Sequence, residues 1–131
     1  MHHIISFKTA KFNVSNEKKN PTNPIYGYTL LDWLRERTKD NIEITAPDAE
    51  DWGWYSFLKW NSRGYMIGAS VHYEKGDDSP HILEWVFQVE KQRSLVEKIL
   101  GKEKMTKNDP CLLFFRSIFE SDPEIKEIEV D

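Results

Sequence analysis

Apolar and polar positions alternate with period two along several stretches of this chain and recur at helical spacing along others. That pattern alone divides it into elements. Residues 3–14 alternate loosely through Ile5, Phe7, Phe12 and Val14 and read as a strand with a bend near Thr9. Residues 15–27 are rich in Asn, Pro and Lys and read as a loop. Thr29 is placed to cap a helix, with Asp32 three residues on as its capping-box partner. Leu30, Leu31, Trp33 and Leu34 give that helix its apolar side, and Asn41 marks its end. Residues 42–46 predict a short strand that Pro47 stops. Three more strands are expected, from Trp52 to Trp60, Tyr65 to Glu74 and His81 to Glu90. The turn-like segments NSRG and KGDDSP join them into an antiparallel meander.

Beyond the meander the period changes to helical. Ser94 with Glu97 forms a capping box and Gly101 stands where a C′ glycine belongs, which predicts a short helix over 94–100. Asp109 is a good N-cap and Pro110 suits the first helical position. Leu112, Leu113, Phe115, Ile118 and Phe119 then recur at helical spacing up to Asp122-Pro123. The terminal IKEIEV reads as a strand whose charges suit a sheet edge. The order β-α-β-β-β-β-α-α-β predicts an α+β fold. It would be an antiparallel sheet of five to six strands with about three helices packed mainly on one face, in a single globular domain over 1–131.

Composition narrows the function classes. Of 131 residues 39% are hydrophobic and 31% charged, a globular balance rather than a disordered one. The net charge of −4 disfavours a general nucleic-acid binder, which needs a basic face for phosphates. The single cysteine, Cys111, excludes an intrachain disulfide and a cysteine-based zinc cage. No apolar run approaches the roughly 18–20 residues that cross a bilayer, and the N-terminus lacks the plan of a signal peptide. A cytoplasmic protein with no membrane partner is therefore expected. Charge is unevenly laid out. Residues 1–19 set Lys8, Lys11, Lys18 and Lys19 against Glu17, while 39–51 set Asp40, Glu43, Asp48, Glu50 and Asp51 against Lys39. Residues 120–131 are more acidic still, with six carboxylate side chains against Lys126. Acidic segments of this kind keep a protein soluble and also attract basic partners.

The stretch Trp52-Gly53-Trp54-Tyr55-Ser56-Phe57-Leu58-Lys59-Trp60 is the most distinctive. Strand alternation would put Trp52, Trp54, Leu58 and Trp60 on one face with Ser56, and Tyr55 and Phe57 on the other with Gly53 and Lys59. With helices on one face of the sheet, several aromatics remain on the second. Chain termini could bury them, a partner or second copy could cover them, or they could line a ligand pocket.

Candidate chemistry is sparse. Asp48, Glu50 and Asp51 could act as acid and base or hold a hard cation, but no calcium-loop spacing or repeated D-x-D accompanies them. His72 and His81 flank the KGDDSP turn with Asp77 and Asp78, at a spacing that matches no metal site and reads as a hairpin tip. Cys111 in the first turn of the last helix could be activated by the helix dipole, but the apolar residues after it point to a buried, inert thiol. There is no P-loop, G-x-G-x-x-G, G-x-S-x-G or H-E-x-x-H. No catalytic residue, metal ligand or cofactor is assigned, which weighs against an enzyme.

The segments NPIYGYTLLDWLRER, PDAEDWGWYSFLKW, RGYMIGAS and EWVFQVEKQRSLVEKILGKEKM resemble a widespread group of small bacterial proteins without an established activity. The EDWGW segment, Glu50 to Trp54, is its specific part. The resemblance implies a bacterial, cytosolic, single-domain protein and supplies no catalytic residue. The leading expectation is a non-enzymatic protein-interaction domain, an immunity-type inhibitor being one version, with a basic protein as partner. Its candidate binding residues are Glu50, Asp51, Trp52, Trp54, Tyr55, Phe57 and Tyr65, with Trp54 as the anchor. The alternative is a small-molecule-binding domain or hydrolase whose aromatic pocket carries an acidic group. A homodimer through the sheet is a third reading.

Overall fold

The computed structural model describes residues 3–12, 17, 19–21, 25–71 and 82–131. Six strands form one antiparallel sheet and three helices accompany it. In chain order these are β1 (His3–Thr9), α1 (Tyr28–Thr38), β2 (Asp48–Glu50), β3 (Gly53–Trp60), β4 (Arg63–Val71), β5 (Leu83–Lys91), α2 (Leu95–Leu100), α3 (Pro110–Glu120) and β6 (Lys126–Val130). The strand order is β2-β3-β4-β5-β1-β6. The element order agrees with the expected one, although its second strand comes from other residues than expected, and the charged last strand lies at an edge, where its unpaired backbone is shielded by charge.

Alternation along the strands builds the core. Ile5 and Phe7 of β1, Trp54 and Leu58 of β3, Ile67 and Ala69 of β4, and Trp85, Phe87 and Val89 of β5 are all buried. Leu30, Leu31 and Leu34 of α1 and Leu112, Phe115 and Phe119 of α3 complete that cluster. Phe119 lies 4.7 Å from Phe7 and 5.2 Å from Phe87 between ring centres, so α3 seats on β1 and β5 through aromatic contacts. Beyond β1, Phe12 turns inward against Trp33 and Trp85. The strand itself ends at the expected bend, where the Thr9 hydroxyl donates to the Glu124 carbonyl. Val14 lies outside the described residues.

Local chemistry was legible at the later helices. The Ser94–Glu97 capping box closes in both directions, and Gly101 ends α2 with φ of 67°. Asp109 caps α3 by accepting from the Cys111 and Leu112 amides, and Pro110 opens the helix. The NSRG turn is also as expected: Asn61 and Ser62 both take left-handed angles, the two-residue geometry that matches strand twist.

Three expectations require correction. Thr29 does not cap α1, and Asp32 makes no capping box. Gly27 occupies the cap position, and the Glu17 carboxylate accepts from both the Thr29 amide and its hydroxyl at 2.8–3.1 Å. Asp32 lies 3.7 Å from Arg35 instead. The cap comes from twelve residues upstream, beyond the reach of any local motif. The helix also ends before Asn41, at Thr38, whose hydroxyl donates to the Leu34 carbonyl. Residues 42–46 form no strand: only Ile44 bridges to Leu58, and the added edge strand is β2, beyond Pro47. Thr45 carries the contact across the gap, its amide donating to the Phe57 carbonyl and its hydroxyl accepting from the Phe57 amide. The expected tip KGDDSP, with His72 and His81, lies outside the described residues.

Candidate functional site

The acidic and aromatic residues singled out in the sequence meet at the β2–β3 hairpin. β2 pairs with β3 through Asp48↔Tyr55, Ala49↔Trp54 and Glu50↔Gly53, which leaves Asp51 and Trp52 as a two-residue turn. Trp52 therefore does not share a face with Trp54, Leu58 and Trp60. It sits in the turn, where strand alternation does not apply, and Gly53 at φ 150° redirects the chain behind it. A side chain at Gly53 would strike the Ala69 carbonyl as well as strain the backbone.

The Trp52 indole folds back over β4. A Cβ at Gly68 would fall within 2.5 Å of its Cη2, so the missing side chain there is the seat of the ring. Gly68 pairs with Tyr55 across the strands. Trp52, Tyr55 and Phe57 thus form a row on the second face of the sheet, with ring centres 6.5 Å and then 5.5 Å apart. Trp52 and Phe57 are 37% and 40% exposed. Asp48 and Glu50 stand beside them. The Asp48 carboxylate lies 3.5 Å from the Tyr55 hydroxyl and, with Glu50, disfavours the phenolate and raises its pKa. An open groove of about 330 Å³ continues from Phe57 past Thr45, Lys59 and Gly64 to Gln92.

The hairpin is anchored from behind. Buried Asn20 donates through Nδ2 to the Glu50 and Gly53 carbonyls at 2.9 and 3.0 Å, tying the preceding loop to the turn. Asn20 and Glu17 are the positioning residues that sequence reasoning missed. Both lie in an Asn- and Lys-rich loop with no local signal that either side chain turns inward.

The remaining candidates lie elsewhere. Trp54 is only 6% exposed and meets Tyr28 edge-on, 5.3 Å between ring centres. Tyr65 is buried on the core side of β4 and donates to Asp109 Oδ2 at 2.8 Å. Burial and the Asp109 carboxylate together push its phenol pKa up. Cys111 is fully buried, and burial raises its thiol to about 12, so the helix dipole does not activate it. Of the seven candidates, Glu50, Asp51, Trp52, Tyr55 and Phe57 share one surface, while Trp54 and Tyr65 support it from the core.

No protein-family profile, curated protein or solved structure matches the chain. Among the described residues no helix is long and apolar enough to cross a membrane.

Proposed function

We propose that this is a non-enzymatic bacterial interaction domain of the cytoplasm that binds a basic protein segment at the Trp52–Tyr55–Phe57 row. Trp52 and Phe57 are both exposed, so the row can be contacted. The observation that carries the reading is the pairing of a row of partly exposed rings with the Asp48, Glu50 and Asp51 carboxylates. Aromatic anchors supply the contact area at small entropy cost, and the carboxylates select and steer a cationic partner. An immunity-type inhibitor that covers the basic substrate site of a toxin is one concrete form. The kinship with small bacterial proteins carrying an EDWGW segment belongs to the same reading, because that segment builds the turn presenting Trp52.

Trp52, rather than Trp54, is the residue to remove. Trp52→Ala leaves the core intact and should weaken partner binding by about 2 kcal/mol or more. The test is capture from the native cytosol with wild-type and Trp52→Ala protein at low and high salt. A protein retained by the wild type at low salt, released at high salt and lost by the variant supports the reading. Equal retention by a variant of unchanged melting temperature sinks it.

A further inference from the structure

Helix α2 is built inside out. Its charged side faces the protein. The Glu97 carboxylate receives both Arg63 guanidinium nitrogens at 2.8 Å, Arg93 donates to the Glu97 and Lys102 carbonyls, and Lys91 holds Glu103 at 2.8 Å. Its apolar side faces outward. Leu95, Val96, Ile99 and Leu100 are 73%, 64%, 74% and 59% exposed, and α2 buries none of its residues. Four large aliphatic side chains on two helical turns form an exposed crest.

The charge around that crest is the reverse of the rest of the molecule. Residues 91–107 carry Lys91, Arg93, Lys98, Lys102, Lys104 and Lys107 against Glu97 and Glu103, in a chain whose net charge is −4. Both carboxylates are occupied by Arg63 and Lys91. Lys98, Lys102, Lys104 and Lys107 are exposed, and among the described residues none of the four is ion-paired.

We propose that α2 and the lysines that follow it form a docking site for an anionic membrane surface. An apolar helix crest with lysines beside and after it is an arrangement that seats at a lipid interface, the aliphatic groups below the headgroups and the ammonium groups among them. The remainder of the chain is acidic in net charge and is repelled by the same surface, which favours approach by the α2 pole. The contact is peripheral and crosses nothing, and it uses side chains other than Trp52, Tyr55 and Phe57.

Vesicle flotation tests it. Wild-type protein should float with mixed phosphatidylcholine–phosphatidylserine vesicles, remain below with phosphatidylcholine alone, and be released by high salt. Ile99→Asp should abolish flotation, and Lys104→Glu with Lys107→Glu should reduce it by at least about tenfold. These side chains are exposed, so the melting temperatures should not move, and Trp52→Ala should float like the wild type. No preference for the anionic vesicles, or full retention of flotation by Ile99→Asp, overturns the proposal. So does a salt-sensitive oligomer that Ile99→Asp disperses while vesicles stay unbound, which would assign the crest to a protein contact.

Discussion

α2 and α3 start from the same kind of local code and end in opposite environments. Each has a side chain that accepts the first free amides, Ser94 in one and Asp109 in the other. Each follows its cap with closely spaced aliphatic or aromatic residues. Yet α3 buries Cys111, Leu112, Phe115, Ile118 and Phe119, while α2 buries nothing. Capping chemistry sets where a helix begins. Which side it turns to the protein depends on what the neighbouring surface offers. The start of β4 offers α2 the Arg63 guanidinium, whereas β1 and β5 offer α3 the rings of Phe7 and Phe87.

The largest test of this contrast is truncation on each helix. Phe119→Ala should cost about 3–5 kcal/mol, because it empties a fully buried site between Phe7, Phe87 and Trp33. Ile99→Ser should stay within about 0.5 kcal/mol. Urea unfolding of both variants measures the difference, and similar losses would erase the distinction between the helices.

A smaller effect sharpens how α3 is held. Asp109 accepts from two α3 amides through Oδ1 and from the Tyr65 hydroxyl through Oδ2. Asp109→Ala removes the cap and strands a buried phenol, an expected loss of about 2–4 kcal/mol. Tyr65→Phe should cost less, since it deletes the donor together with its need for a partner. A Tyr65→Phe loss equal to that of Asp109→Ala would show that the cap contributes nothing.

The smallest effect concerns the tether of α2. Arg63 hydrogen bonding, aided by the Ser94 amide, lowers the Glu97 pKa from 4.5 to about 2. The folded value is depressed, so the contribution is present above the ordinary carboxylate value and is lost as pH falls toward about 2. Arg63→Ala should return the Glu97 midpoint toward 4.5 in a carboxyl-resolved NMR titration, with faster amide exchange in α2 and little change in α3. An unmoved midpoint would mean that the capping box alone orders Glu97.

Much of the scaffold was legible because its causes are local. Period-two alternation announced β3, β4 and β5, and caps announced α2 and α3. The candidate surface was legible in composition but not in arrangement. The sequence singled out Glu50, Asp51, Trp52, Tyr55 and Phe57, which the structure brings to one hairpin, but it placed Trp52 beside Trp54, which lies in the core. A strand rule cannot see that residues 51–52 are a turn, because the turn exists only once β2 has paired with β3 across it.

By itself, then, the sequence determined the element types, their order and the acidic, aromatic character of the β2–β3 region, since propensity, capping and periodicity act over a few residues. Only the tertiary structure decided that Glu17 caps α1, that Asn20 ties down the hairpin, that Gly68 seats Trp52 and that α2 faces outward. Each of those depends on groups far apart in the chain, which meet only when the sheet has closed.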